Sequence, residues 1–199
     1  MIDSEDWSLK VLLKPKPDYL TQRDNVKLGG TGLEQSNQCF ISAATMFCRH
    51  VAKEHDMLTV FKMSEYEYNS IILGICQTKK IDYAAGRYMW DIHQSAINAL
   101  LKPLSVKRVN ATKDLIRSQI DLGYPVIIGI DISHYLKGAS GHMVLCIGYD
   151  DKGLVIHDPY GDALTGYKNH NGESVHYDWN ELQNMISENT FMFEVHYVS

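Results

Sequence analysis

From Cys39 to about Val51 the apolar side chains Phe40, Ala43, Phe47 and Val51 recur at helical spacing, which predicts a helix with one face against a core and Cys39 in its first turn. Three further helices follow. Ser64 and Glu67 stand at capping-box spacing ahead of a helix that runs to about Cys76. Another follows Asp91, with Gln94 three residues on, and ends near Pro103; Thr112 caps a fourth over 113–122, which Gly123 stops. Beyond Tyr124-Pro125 the texture becomes that of strands, at 126–130, 142–149 and 154–157, the last two joined as a hairpin through Asp150-Asp151-Lys152-Gly153. Near the end Phe191, Phe193, Val195 and Tyr197 alternate with Met192, Glu194, His196 and Val198, which predicts a strand with one strongly apolar face.

A helical first half and an antiparallel second half together imply an α+β fold. Residues 1–38 read as an extended lead-in segment, because Pro15, Pro17 and the loop Leu28-Gly29-Gly30-Thr31-Gly32 oppose regular pairing. That glycine loop lacks the lysine and preceding strand of a phosphate loop and reads as a flexible loop near the cleft. With 199 residues, 45% hydrophobic content and 5 prolines, the chain suits one domain over 19–199 with an N-terminal extension over 1–18.

Charge narrows the function classes. Nineteen basic against 24 acidic residues give −5, with no block of like charges, which argues against a nucleic-acid groove and an electrostatic membrane anchor. Met1-Ile2-Asp3-Ser4-Glu5-Asp6-Trp7 is acidic where a secretory signal is basic, and no apolar stretch approaches the roughly twenty residues of a membrane span. The expectation is cytoplasmic synthesis without a signal peptide. Cys39, Cys48, Cys76 and Cys146 form no Cys-x-x-Cys pair, so free thiols are expected rather than a zinc site or disulfides, with Cys48, Cys76 and Cys146 as core hydrophobes. Nothing calls for a metal or an organic cofactor.

Cys39 is the exception among the thiols. A helix N-terminus carries roughly half a positive charge and unpaired N–H groups, which favours the thiolate. His142 can hold the displaced proton and later protonate a leaving amine, its neighbours Ser140-Gly141 being small enough to let a backbone approach a helix. Asp158 can fix the imidazole tautomer from the other arm of the hairpin. The oxyanion donors are then the Cys39 N–H and a side-chain amide, for which Gln22, Gln35 and Gln38 are all candidates. His157 points to the opposite face of its strand, Asp162 caps the turn Asp158-Pro159-Tyr160-Gly161-Asp162, and Trp90, Tyr88 and Tyr135 are expected to fill core.

These residues carry a resemblance. Thr21-Gln22-Arg23-Asp24-Asn25, Cys39 opening a helix, Ser140-Gly141-His142 through Gly148-Tyr149-Asp150, and Asp158-Pro159-Tyr160-Gly161-Asp162 with Tyr167 resemble the papain-like cysteine peptidases related to bacteriocin leader peptidases, most nearly their stand-alone bacterial and phage relatives. The resemblance implies a papain-like fold, with Cys39 as nucleophile, His142 as base, Asp158 as orienting acid and Gln22 as oxyanion donor. It further implies a monomeric, endolysin-like peptidase that cuts peptidoglycan peptides in a host periplasm, cell wall or virion. Phe40-Ile41-Ser42 depart from the family's usual Gly or Asn followed by Pro or Thr, and Gln22 stands 17 positions before Cys39, a longer gap than usual. Phe40-Ile41 after the cysteine motivates an alternative, an inactive papain-like binding module; leader-peptide processing after paired glycines is a third reading.

Overall fold

The computed structural model of the chain describes residues 11–25 and 37–197. In chain order its elements are β1 (Val11–Leu12), a 3-10 turn (Gln22–Asp24), α1 (Cys39–Glu54), α2 (Leu58–Phe61), α3 (Glu65–Lys79), α4 (Tyr83–Gly86), α5 (Trp90–Leu100), β2 (Leu104–Asn110), α6 (Lys113–Asp121), β3 (Val126–Asp131), β4 (Gly141–Tyr149), β5 (Gly153–His157), a second 3-10 turn (Ala163–Thr165), β6 (Val175–Asp178), α7 (Trp179–Met185) and β7 (Phe191–Tyr197).

The local start signals act as the sequence implies. Ser64 Oγ accepts from the Glu67 N–H at 3.2 Å while the Glu67 carboxylate accepts from the Ser64 N–H at 2.7 Å, so α3 begins on a closed capping box. Thr112 Oγ1 accepts from the Leu115 N–H at 3.2 Å, and Gly123, at φ +91°, ends the chain's run after α6. Helix α5 differs: it starts at Trp90, ahead of Asp91, with no side-chain cap. Tertiary packing overrides the local signal there, because the Trp90 ring sits 4.8 Å from Phe193 and 5.1 Å from Phe40, and Gln94 spends its side-chain oxygen on the Arg108 N–H at 3.0 Å.

The strands form one antiparallel sheet in the order β2-β7-β3-β4-β5-β6, with β1 paired to the end of β4 through Val11 opposite Tyr149 and Leu12 opposite Gly148. Part of the lead-in segment therefore pairs after all, in the two positions before the prolines begin. Helices α1, α3 and α5 bury Phe47, Tyr68, Ile72 and Ile97 against Leu145, Val155 and Phe193 on one face of the sheet. Helices α6 and α7 bury Ile116, Ile120, Leu182 and Met185 against Val126, Ile128, Ile156 and Met192 on the other. Each such side chain contributes about 1.5–3 kcal/mol on leaving water. Strand β7 consequently departs from its one-faced expectation: Met192 and Phe193 are both buried, on opposite faces, whereas Tyr197 is 66% exposed at the strand's end. The chain is α+β, with a helical N-terminal half packed on an antiparallel sheet.

Candidate active site

Helix α1 opens on Cys39, preceded by Gln38 as N-cap without any side-chain capping bond. The first internal bond of the helix runs from the Ser42 N–H to the Gln38 carbonyl at 3.0 Å, so the Cys39 N–H is one of the donors a helix start leaves over. Cys39 is partly exposed, whereas Cys48, Cys76 and Cys146 are buried. Burial pushes all three of those thiols up, Cys146 to about 12. Burial also acts against the Cys39 thiolate, but a hydrogen bond to His142, the charge of that imidazole and the Met143 N–H outweigh it and bring this thiol below its usual value.

The other half of the site comes from the β4–β5 hairpin. His142 Nε2 lies 2.6 Å from Asp158 Oδ1, which leaves Nδ1 for the thiol. Both side chains are buried, Asp158 completely. Burial favours the neutral imidazole, yet the Asp158 charge and hydrogen bond, followed by Cys39, reverse that and push His142 up to about 10. Asp158 is held in turn: Oδ1 also accepts from the Tyr160 N–H at 2.9 Å, and Oδ2 accepts from Tyr177 Oη at 3.0 Å and Tyr167 Oη at 3.3 Å. Burial, then the neighbouring carboxylate, drives both phenols far above their usual range, so they stay protonated and donate. The Asp158 backbone is fixed by its N–H to the Gly172 carbonyl at 2.9 Å and by Tyr19 Oη to its own carbonyl at 3.0 Å. Residue 172 must be glycine for this approach, since a Cβ there would stand 2.0 Å from the Asp158 oxygen.

A cleft of about 560 Å³ lies over these groups, lined by Gln22, Asn37, Cys39, Tyr88, His142 and Tyr160 among others. Gln22 opens the 3-10 turn with its N–H on the Pro159 carbonyl at 2.9 Å, so the segment bearing it is fastened to the residue after Asp158. The structure thus brings Cys39, His142, Asp158 and Gln22 to one place. Gln38 is fully buried and does not line the cleft, and neither of its amide atoms has a hydrogen-bond partner among the described residues. Gln35 and the Leu28-Gly32 loop lie outside the described residues.

Other expectations sort by neighbours. His157 turns away from the cleft, accepting from the Ser174 N–H at 3.0 Å and donating to the Pro17 carbonyl at 3.1 Å, and burial keeps it neutral by lowering its pKa. Asp162 caps the second 3-10 turn through the Leu164 N–H at 3.0 Å. Tyr135 donates to Glu181 and Trp90 packs on Phe193, but Tyr88 is 45% exposed and faces the cleft rather than the core. Gly141 does not mediate a close helix contact: an added Cβ would meet nothing within 4 Å, and the residue lines the cleft. Phe40, which departs from the family pattern, stacks on the buried His93 ring at 3.6 Å and 3°, so its bulk belongs to the core under α1. Sequence reasoning missed Tyr177, because an inward tyrosine on an edge strand carries no local mark of its carboxylate partner.

Among the described residues no group of three or more His, Cys, Asp or Glu stands ready to hold a metal ion, and no helix is long and apolar enough to cross a membrane. The sequence model of the Peptidase_C39 like family matches residues 17–187. A crystal structure of a proposed C39-like peptidase from Bacillus anthracis shares the fold, with a TM-score of 0.54 over 96% of this chain and 98% of that one at 12% identity. No curated protein matches the sequence.

Proposed function

We propose that this chain, which belongs to the Peptidase_C39 like family of cysteine peptidases, cleaves amide bonds with Cys39 as nucleophile, His142 as proton carrier, Asp158 as orienting acid and Gln22 as oxyanion donor. The observation that carries the reading is the buried 2.6 Å pair of His142 and Asp158, beside Cys39 at a helix start, both His142 and Cys39 lining one cleft.

The chemistry follows from the charges. The Cys39 thiolate attacks the carbonyl carbon, a C–S bond forms, and the carbonyl oxygen takes the negative charge under the Cys39 N–H and the Gln22 amide; one such donor is worth roughly 10²–10³ in rate. His142 passes the proton on Nδ1 to the leaving nitrogen as the C–N bond breaks, leaving a thioester. Water, giving its proton to Nδ1 of the now neutral His142, attacks the thioester carbonyl carbon; the C–S bond breaks, the acid is released, and the thiolate–imidazolium pair is restored. Asp158 stays ionised throughout and holds the ring in register.

The substrate we assign is a peptidoglycan peptide, which makes the protein an endolysin-like peptidase; the resemblance to stand-alone phage and bacterial relatives supports it. Labelling with iodoacetamide at pH 6 tests the nucleophile: Cys39 should alkylate selectively in the native protein and lose that advantage in His142→Ala. Equal labelling of Cys39 and the buried thiols would overturn the assignment. Purified sacculi test the substrate, through release of new amino ends. Silence on sacculi together with cleavage after paired glycines in a peptide library would move the assignment to leader processing. A biological effect that survives Cys39→Ala would instead favour the binding module.

A further inference from the structure

We propose that Glu65 is a positioning residue, a carboxylate clamp that sets the segment bearing Gln22 against the helix that opens with Cys39. The inference rests on the roles given above to Cys39 and Gln22.

Three elements meet at one oxygen. Glu65 is the first residue of α3, and its Oε1 accepts from Asn25 Nδ2 at 2.8 Å and from Ser42 Oγ. Asn25 directly follows the 3-10 turn that Gln22 opens, and Ser42 lies one turn along α1 from Cys39, on the same side of the helix. Burial pushes the Glu65 carboxyl up, and the hydrogen bonds from Ser42 and Asn25 act against that push, so these two donors are what the carboxylate has in exchange for water. The remaining ties of this segment are distributed differently. Thr21, Gln22 and Arg23 bond to the carbonyls of Pro159 and Tyr160, on the Asp158 side of the cleft. The links to α1 from Leu20, to Met46 Sδ at 3.1 Å, and from Asp18, to Arg49 at 3.7 Å, come before Gln22. Among the described residues, Glu65 alone ties the chain to α1 after Gln22. An oxyanion site made of one donor on the helix and one on this segment depends on their separation, and displacement of about 1 Å is expensive in such geometry.

The test is a set of variants read in four ways: kcat, KM, the iodoacetamide rate of Cys39, and the affinity of a peptide aldehyde, whose adduct with the thiol places an oxygen where the oxyanion sits. Glu65→Ala should lower kcat about 10-fold, a fraction of a full donor's worth, and weaken the aldehyde by a similar factor, with KM and alkylation within about 2-fold. Glu65→Gln, which keeps an acceptor at Oε1, should recover most of the loss. Asn25→Ala should reproduce Glu65→Ala, and the double variant should be no worse than either, because both break one unit. The proposal is overturned if folded Glu65→Ala retains kcat and aldehyde affinity, or if alkylation falls in step with kcat, which would place the defect at the thiolate. Should Glu65→Ala fail to fold, Asn25→Ala and Glu65→Gln decide by the same readings. An unreactive wild-type Cys39 would sink the catalytic reading itself, a result distinct from reactive Cys39 with unchanged aldehyde binding.

Discussion

The two walls of the cleft are built on opposite terms. On the strand wall the central carboxylate is answered on every side: Asp158 takes His142, the Tyr160 N–H, Tyr177 and Tyr167, and its own backbone is fastened by Gly172 and Tyr19. On the helical wall, α1 begins without a side-chain cap, Cys39 lines the cleft, and the buried Gln38 amide has no partner among the described residues. The contrast matches what each half of the proposed reaction would require. Holding a proton on a buried imidazole needs a carboxylate fixed in advance, since an unmet charge in that place would be costly. The donors at a helix start gain by staying unmet until an oxyanion arrives.

Breaking the strand wall at its centre should give the largest effect. Asp158→Asn keeps the shape but removes the charge that raises His142, so the alkaline limb of kcat/KM should move down from the neighbourhood of pH 10, and kcat should fall by about 100-fold. Stability carries the same signature. Because His142 is raised in the folded protein, its contribution is complete below its unfolded value of 6.5 and is lost as pH rises through about 10. The difference in urea midpoint between wild type and Asp158→Asn should therefore shrink across that window. A difference that stays level, with an unmoved alkaline limb, would mean that Asp158 does not control the proton.

A milder break removes one support of the carboxylate. Tyr177→Phe deletes the 3.0 Å donor to Asp158 Oδ2 and should cost about 2 kcal/mol, the usual worth of a hydrogen bond to a charged group, or roughly 4–8 °C in melting temperature for a chain of this size. Tyr167→Phe, whose bond is longer at 3.3 Å, should cost less. Calorimetry on both variants checks the order, and a reversed order would show that the two phenols are not graded by their reach to Oδ2.

How far this contrast could be read from the chain differs between the walls. Cys39 at a helix start, His142 on one strand and Asp158 past the next were legible, because periodicity of 3.6 and 2 and a turn-rich hairpin fix those placements locally. The supports were not. Tyr177 reaches Asp158 from β6, and Glu65 reaches Asn25 from α3 across 40 positions, through contacts that only the assembled sheet and helices create. Strand β2 escaped because its exposed positions at Lys107 and Arg108 mask the alternation, and its existence depends on pairing with β7 along its whole length. Helix α5 began one residue before its apparent signal for the same reason, the pull of Trp90 into the core. Local chemistry announces the candidate reactive groups; the groups that hold them are announced by nothing closer than the fold.

The smallest expected effect sharpens the helical wall. Gln38 precedes Cys39, is fully buried, and lies off the cleft that Gln22 lines. A buried amide without partners costs about 1–3 kcal/mol, so Gln38→Met, similar in length and free of polar atoms, should raise stability by about 1 kcal/mol, or roughly 2–4 °C, and leave kcat within about 2-fold. Gln22→Ala in parallel should lower kcat by roughly 10²-fold with little change in melting temperature. If the two variants exchange behaviour, with Gln38→Met losing turnover and Gln22→Ala keeping it, then the unmet amide beside Cys39 is the oxyanion donor, and the helical wall rather than the lead-in segment supplies both hydrogen bonds to the reacting oxygen.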